Sequence, residues 1–256
     1  MMPMYFEEKN KVRYAKFSCF DPFPFIRAAF STRIGGVSEA PFDRLNLGIT
    51  TEDLKANVEE NRNRFFRALG VDISSVVIQK QVHDTRSAYV DQPAFLDCTD
   101  AAYTDKPDVF LTVSAADCVP VMFAEPENKI VGVIHAGWRG TQQEIVYQTI
   151  EKVKKQFSID ESNIIAILGP SISVKNYEVS EEVAARFEPV FIERNGHAKP
   201  HLDLWKANAA QLKNAGVKNI YISDYCTFER QDLFFSHRGS SGKSGRMLGV
   251  IGIISP

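Results

Sequence analysis

Apolar and polar positions alternate along the chain in two periods, which predict a few helices among many short strands. Apolar residues recur three or four positions apart in three segments, which predict helices over 52–69, 141–157 and 204–215. Asp203 stands in the N-cap position of the third helix, and Gly216 follows that helix as a stop signal. Thr141 and Glu144 form a capping-box pattern, which predicts that the second helix begins with Thr141 as its N-cap.

Short β-branched and aromatic runs, bounded by Gly, Pro, Asp or Asn, predict nine strands. They cover residues 26–31, 75–79, 86–90, 108–115, 119–125, 129–135, 163–168, 218–223 and 247–254. The run Ile130–Ile134 is apolar on both faces, as in a sheet covered on both sides. Because strands and helices do not alternate regularly, the order favours an α+β sandwich of mixed sheets flanked by helices over a doubly wound Rossmann domain.

Length and composition point to a globular protein that acts on a small molecule. The chain has 256 residues, 44% of them hydrophobic, and no linker divides it, so we expect a single domain over 1–256. Lys and Arg total 30 against 32 Asp and Glu, without long runs of one sign, which argues against a nucleic-acid or membrane partner. The four cysteines are scattered and the N-terminus lacks a signal-peptide pattern, so we expect reduced thiols and a cytoplasmic location.

The candidate chemistry lies in three short segments that carry His83, Cys118 and His135. Two imidazoles and one thiolate without an obvious fourth ligand suit a zinc centre that keeps an open position. Taken singly, each residue is more often structural, as a hydrogen-bonded core histidine or a small apolar cysteine. Asp117 precedes Cys118, and its carboxylate should raise the pKa of the thiol unless a cation offsets it. A metal ion would supply that cation.

The loop between His135 and Thr141 is the second candidate feature. Gly137 and Gly140 would let its backbone approach a ligand, and the amides after Gly137 would form an anion pocket beside the metal. Arg139 would clamp an oxyanion or lie in solvent, and the bland alternative is an ordinary strand-to-helix turn. Two further segments rich in Arg and Gly, 30–48 and 234–246, are either surface loops or parts of a phosphate site.

These motifs occur together in one known family. The segments are Ser31-Thr32-Arg33-x-Gly35-Gly36-Val37-Ser38, Leu45-Asn46-Leu47-Gly48, Gln81-Val82-His83, Ala116-Asp117-Cys118-Val119-Pro120, His135-Ala136-Gly137-Trp138-Arg139-Gly140-Thr141, Gly169-Pro170-Ser171-Ile172 and Ser236-His237-Arg238. From about residue 27 to the C-terminus, their order resembles the bacterial purine nucleoside phosphorylase and polyphenol oxidase family. That family is also called the laccase-domain or peptidoglycan editing factor family.

The resemblance implies a fold, a metal site and an activity. It implies a layered α/β/β/α fold similar to that of toxin-type cysteine deamidases, with zinc held by His83, Cys118 and His135. It also implies phosphorolysis of adenosine, inosine, guanosine and methylthioadenosine to free base and ribose 1-phosphate, with adenosine deaminase side activity. We expect a monomer or a homodimer.

Specific roles for further residues follow from that activity. The substrate and phosphate should lie among Arg44, Asn46, Gly137, Arg139, His237 and Arg238. Arg44 and Arg238 are expected to converge on the phosphate from distant parts of the chain. Asp117 belongs to the catalytic set with the three metal ligands. Because no His-x-Glu pair adjoins those ligands, we expect His237 or Asp117 to carry the proton of the deamination.

Three alternatives remain open. Cys118 and His135 could form a thiol hydrolase or amidase that edits peptidoglycan precursors. The metal could be the copper of a polyphenol oxidase, but of five histidines only His197, His201 and His237 would remain for a coupled cluster, which is too few. A single blue-copper site with Met122 as axial ligand needs fewer ligands than a coupled cluster, so it stays open as an alternative. A purely structural zinc or interaction role is the third alternative.

Overall fold

The computed structural model describes residues 3–194, 196 and 198–255, which form fifteen strands and five α-helices. The strands are β1 (Met4–Lys9), β2 (Val12–Phe17), β3 (Ile26–Ser31), β4 (Val76–Gln79), β5 (Ser87–Tyr89), β6 (Phe95–Leu96), β7 (Ala101–Thr104), β8 (Phe110–Ala115), β9 (Val119–Glu125), β10 (Ile130–Ala136), β11 (Ile165–Leu168), β12 (Ile192–Glu193), β13 (His201–Leu202), β14 (Asn219–Ile222) and β15 (Met247–Ile253). The helices are α1 (Lys55–Leu69), α2 (Trp138–Gln142), α3 (Ile145–Phe157), α4 (Glu181–Ala184) and α5 (Leu204–Asn214).

Most of these strands belong to two mixed sheets. The first has the order β1-β2-β3-β15-β8-β4-β6 and the second the order β14-β11-β9-β10-β7-β5. Antiparallel pairs dominate, but β4 runs parallel to both of its neighbours, and β14 and β5 run parallel to theirs. β12 and β13 form a separate two-stranded ribbon. The predicted α+β architecture with mixed sheets is confirmed.

Three apolar clusters hold the layers together. Phe30 and Val113 of the first sheet pack against residues of the second sheet such as Val133. The outer face of the first sheet packs on α1 through residues such as Phe65. The outer face of the second sheet packs on α3 and α5, where Ile150 is fully buried. The layers therefore follow the predicted order α/β/β/α. That residues 1–256 form a single domain stays a prediction.

The nine predicted strands all occur, with ends shifted by two residues or fewer. The edge pair β1 and β2 was not predicted, because charged residues interrupt its apolar pattern on the exposed side of β1. The apolar pattern also does not predict four other strands: the very short β6, β12 and β13, and the small-residue strand β7. Among the described residues, no helix is long and apolar enough to cross a membrane.

The predicted start of the second helix is wrong. Thr141 lies inside the short helix α2, and its hydroxyl contacts Asn208 Oδ1 at 3.2 Å instead of capping a helix. Glu144 has a left-handed backbone, φ 61°, and α3 begins only at Ile145. By contrast, the Asp203 carboxylate accepts the Lys206 amide at 2.9 Å, so Asp203 caps α5 as predicted.

Candidate metal centre

His83, Cys118 and His135 come together at one end of the second sheet. The start of β9 lies beside the end of β10, with His135 opposite Pro120 in the register, so Cys118 emerges next to His135. His83 reaches the same point from the turn after β4, where its backbone is left-handed with φ 63°. One donor atom from each side chain lies within 4.8 Å of the others, and Cys118 Sγ lies 3.9 Å from His83 Nε2.

Asp100 holds both histidines in place. This fully buried residue directly precedes β7, and its Oδ1 lies 2.8 Å from His135 Nδ1. The same oxygen accepts the His83 amide at 2.9 Å, while Oδ2 accepts the amides of Val82 and Asp84. Burial would raise the pKa of Asp100, but its bonds to His135 and the backbone amides hold it below its usual range. Asp100 is therefore a carboxylate that fixes two ligands at once.

The donor set fits a metal ion of the zinc type. Because Asp100 occupies Nδ1 of His135, Nε2 is the ring nitrogen left to face the thiol. Burial would raise the pKa of Cys118, but the charges and hydrogen bonds of His135 and His83 lower it to about 6, so the sulfur is a thiolate at neutral pH. The cation that we expected to offset Asp117 is thus supplied in part by the imidazoles. Two imidazoles and a thiolate leave a fourth position open.

Gly137 is required by this geometry. It lies between the end of β10 and α2, with an ordinary φ of −76°. A Cβ added there would lie 2.9 Å from Cys118 Sγ and 3.0 Å from His83 Cδ2. Only glycine therefore lets the backbone pass so close to two ligands. The amides that follow Gly137, where we expect an anion pocket, belong to α2, a helix of only five residues.

Two cavities meet at the ligand cluster. The inner cavity, of about 230 Å³, runs from Cys118 and His135 between the sheet and α1 to Gln79 and Arg62. The outer cavity, of about 240 Å³, lies on the other side of Cys118. Its walls are Asp117, Trp138, Arg139, Tyr177, Leu204 and Arg238. His83, Ala116, Cys118 and His237 line both cavities.

The structure brings some of the other predicted site residues to this cluster but not all. Arg139, His237 and Arg238 line the outer cavity as exposed side chains. Arg44 is exposed and lines neither cavity, so the expected convergence of Arg44 with Arg238 is not found. Asn46 is fully buried, and its side chain bonds to Thr51, Asp53 and two backbone amides. Asn46 therefore holds loops together and does not line either cavity.

Asp117 is committed to structural hydrogen bonds. Its Oδ1 accepts the Thr227 hydroxyl at 2.6 Å, and its Oδ2 accepts the Arg238 amide at 2.6 Å. These bonds tie the segment that carries His237 and Arg238 to the start of β9. Asp117 thus positions the outer cavity wall, although it also lines that cavity.

Sequence reasoning missed three residues of this region. Asp100 carried a signal, because it is an acidic residue at the start of an apolar segment, where a carboxylate needs a partner. Arg246 lies in the 234–246 segment, whose Arg and Gly content predicts either a surface loop or part of a phosphate site without indicating which residue faces the cavity. Arg62 looked like an ordinary charged position of the α1 helix, and only the packing of that helix turns it inward.

The remaining histidines do not extend the cluster into a multi-metal site. Among the described residues, His83, Cys118 and His135 form the one group of three or more His, Cys, Asp or Glu that could hold a metal ion. His201 is buried with Nδ1 2.7 Å from the Val174 carbonyl oxygen. Met122, the suggested axial copper ligand, belongs to the apolar core between the two sheets. His197 lies outside the described residues.

Fold and site together define a class of protein: a four-layered α+β protein with one His-Cys-His centre at the open end of a sheet. Its family follows from residues 27–254, which match the model described as multi-copper polyphenol oxidoreductase laccase. The chain belongs to that family, as its motifs predicted.

Named relatives carry a different label from the family model. The chain is 36% identical over 244 residues to purine nucleoside phosphorylase YlmD of Bacillus subtilis, with 88% of each chain covered. It is 39% identical over 230 residues to a purine nucleoside phosphorylase of Deinococcus radiodurans, again with 88% of each covered. The crystal structure of YlmD from Geobacillus stearothermophilus superposes with a TM-score of 0.92 at 32% identity, covering 99% of this chain and 100% of that one.

Proposed function

We propose that this protein is a zinc-dependent purine nucleoside phosphorylase that converts adenosine, inosine, guanosine and methylthioadenosine with phosphate to free base and ribose 1-phosphate, with adenosine deaminase side activity. The observation that carries the proposal is the open His83, Cys118 and His135 centre, oriented by Asp100 and flanked by two cavities. Two cavities that share one centre can hold the two substrates of a group transfer side by side. The names of the relatives supply the substrate class.

The ligand set favours zinc over copper. A coupled copper cluster needs more imidazoles than this one group offers. Held by His83, Cys118 and His135, zinc would supply a Lewis acid that stabilises negative charge on an oxygen of the reacting groups. Asp100 keeps the His135 ring oriented and so lowers the reorganisation needed when the ion binds.

The chain's own residues provide the rest of the site. Trp138 and Tyr177 offer aromatic surface in the outer cavity, where a purine can stack. His237 stands between the cavities, and partial loss of water around its ring together with the Arg246 charge lowers its pKa below the ordinary value. The imidazole is therefore neutral at pH 7 and able to accept a proton. We assign His237 the proton transfer of adenosine deamination, because both Asp117 oxygens already accept hydrogen bonds.

The test is phosphate-dependent release of hypoxanthine from inosine by the zinc-loaded protein. We expect hypoxanthine and ribose 1-phosphate in equal amounts, and loss of turnover after the metal is removed. Hypoxanthine released equally fast without phosphate would identify a hydrolase and would refute the phosphorylase.

One observation favours a second candidate. Without a metal, Cys118, His135 and Asp100 form a thiolate, imidazole and carboxylate series like that of a thiol hydrolase or amidase. Such an enzyme could edit peptidoglycan precursors. It would keep its amidase activity on those precursors in the presence of a chelator, whereas the phosphorylase would lose its activity.

A further inference from the structure

Arg62 is a buried cation without a counter-ion. It projects from α1 and is only 5% exposed, and among the described residues no carboxylate lies within ion-pair distance of it. Its Nη1 donates to the Leu47 carbonyl oxygen at 3.1 Å, but its Nη2 is buried and has no hydrogen-bond partner among the described residues. Burial lowers the pKa of Arg62 to about 10, which still leaves the side chain charged at neutral pH. The guanidinium lies over the Phe66 ring, 5.4 Å from its centroid, which offsets part of the cost of burial, but no carboxylate in the described part of the chain neutralises the charge.

Arg246 brings a second guanidinium to the same cavity. It is partly buried, and its Nη1 donates to the Ser244 carbonyl oxygen at 2.7 Å and to the Ser244 hydroxyl at 2.9 Å. Both arginines line the inner cavity, which also reaches Cys118 and His135. None of the described residues that line this cavity is Asp or Glu, whereas Ser114 adds a hydroxyl group to its wall. Apart from the Cys118 thiolate at the metal centre, the charged groups of the inner cavity are thus positive.

The segment Asn46–Gly48 fixes both arginines. Asn46 Oδ1 accepts the Arg246 amide at 2.9 Å, and the Leu47 amide donates to the Arg246 carbonyl oxygen at 3.1 Å. The Leu47 carbonyl oxygen receives Nη1 of Arg62. A Cβ at Gly48 would lie 2.7 Å from Arg246 Cγ, so a side chain there would displace this arginine. One short segment therefore sets the spacing of two cations, as a preorganised anion site requires.

The outer cavity differs in its chemistry. Arg238 lies over the Tyr177 ring, 5.3 Å from its centroid, and donates from Nη2 to the Glu178 carbonyl oxygen. Arg139 lies 4.4 Å from the Trp138 ring centroid and is exposed. Asp117 adds a carboxylate to this wall. Aromatic rings beside a carboxylate suit a nucleoside base better than a phosphate dianion.

We propose that Arg62 and Arg246 form the subsite for a phosphate dianion at the inner cavity, opposite the aromatic outer cavity. The guanidinium forks would bind the phosphate oxygens, and the dianion would provide the counter-charge that Arg62 lacks. The identification of this dianion as the second substrate rests on the proposed phosphorylase activity. Binding of the anion itself does not rest on that activity.

The experiment measures binding of inorganic phosphate by calorimetry to the zinc-loaded protein, without nucleoside. We compare the wild type with Arg62→Met, Arg62→Lys, Arg246→Met and the outer-cavity variant Arg238→Met, and use Arg67→Met, an exposed position of the same helix, as the matched control. We expect the Kd for phosphate to rise about tenfold or more in Arg62→Met and in Arg246→Met, less in Arg62→Lys, and not at all in Arg67→Met. Zinc content, measured in each variant, should stay unchanged.

A second arm uses ribose 1-phosphate, the phosphorylated product, in place of inorganic phosphate. Parallel losses of affinity in the Arg62 and Arg246 variants would support one phosphoryl subsite for both molecules. Wild-type phosphate affinity in folded Arg62→Met and Arg246→Met, or a loss confined to Arg238→Met, would overturn the proposal. If Arg62→Met does not fold, Arg62→Lys and Arg246→Met decide. Arginine-dependent phosphate binding without any inosine cleavage would leave the subsite standing and refute the phosphorylase.

Discussion

Asp100 Oδ1 lies 2.8 Å from His135 Nδ1, and the same oxygen accepts the backbone amide of His83. One buried carboxylate thus fixes the ring of one candidate metal ligand and the backbone of another, although the two belong to different elements. The β9 and β10 register then brings Cys118 to the same point. The positions of both histidines consequently depend on a residue that is not itself a candidate ligand.

We therefore expect Asp100→Asn to weaken zinc binding about 10- to 100-fold, as loss of a carboxylate behind a histidine ligand generally does. The amide has one acceptor oxygen where the carboxylate has two, so the amides of residues 82–84 and the His135 ring cannot all be bonded. Competition with a chromophoric chelator measures the affinity. Asp97→Asn is the control, since Asp97 is exposed and, among the described residues, pairs only with Lys80 and its own turn. Equal affinities in both variants would contradict the role of Asp100.

Substitution of any one of His83, Cys118 and His135 by Ala should lower zinc content sharply from one ion per chain. Two remaining protein ligands do not form a stable shell for zinc. Elemental analysis of the purified variants gives the stoichiometry, with His201→Ala as the control, because His201 lies outside the cluster. Full occupancy in all three variants would rule out this centre, and visible thiolate-to-copper absorption would identify copper instead.

The sequence was sufficient to predict the three candidate ligands, because each lies in a short, distinctive segment next to a strand. The sequence was not sufficient to predict the cavities, because they depend on how α1 and the 236–246 segment pack on the sheets. Arg44 and Arg62 illustrate this limit. Both are arginines near apolar positions, yet Arg44 is exposed, whereas Arg62 faces the inner cavity. Local sequence cannot tell which of them is turned inward.

The fold was predicted where strands are apolar and well bounded. The central β9 matches its predicted limits, 119–125, because it is fully buried between Cys118 and Pro126. The capping box failed because the short helix α2 starts directly after Gly137 and ends before Glu144. The constraint that the chain must pass close to Cys118 at Gly137 thus overrides a favourable local sequence pattern.

Gly137→Ala should reduce zinc occupancy and turnover together. The new methyl group would lie 2.9 Å from Cys118 Sγ and 3.0 Å from His83 Cδ2, so at least one of these ligands must move. Gly140→Ala, three residues further on in α2, is the matched control, because its added Cβ comes 3.2 Å from Ile145 Cγ2 and meets neither the Cys118 nor the His83 side chain. Metal analysis and the inosine assay measure both effects. A fully loaded and active Gly137→Ala protein would show that the ligands tolerate this shift.

Asp117→Asn should lower stability but leave zinc content unchanged. The amide group can accept only one of the two bonds now made by Thr227 and the Arg238 amide, so the segment with His237 loosens. Loss of one buried hydrogen bond to a carboxylate costs about 1–3 kcal/mol. Urea unfolding of the zinc-loaded proteins measures this difference. A stability equal to that of the wild type would mean that Asp117 does not anchor the 236–238 segment.

Removal of the metal should expose a reactive thiolate at Cys118. Burial raises the pKa of Cys19 to about 12, whereas the imidazoles of His135 and His83 overcome burial and lower the pKa of Cys118 to about 6. At pH 7.5 Cys118 is therefore above its pKa and ionised, and Cys19 is below its pKa and protonated. Iodoacetamide labelling of the chelated protein, read by peptide mass spectrometry, should be at least about tenfold faster at Cys118 than at Cys19. One equivalent of zinc should suppress the label at Cys118, because a coordinated thiolate is a poorer nucleophile. Labelling that zinc does not slow would mean that Cys118 is not a ligand, and would favour the thiol hydrolase.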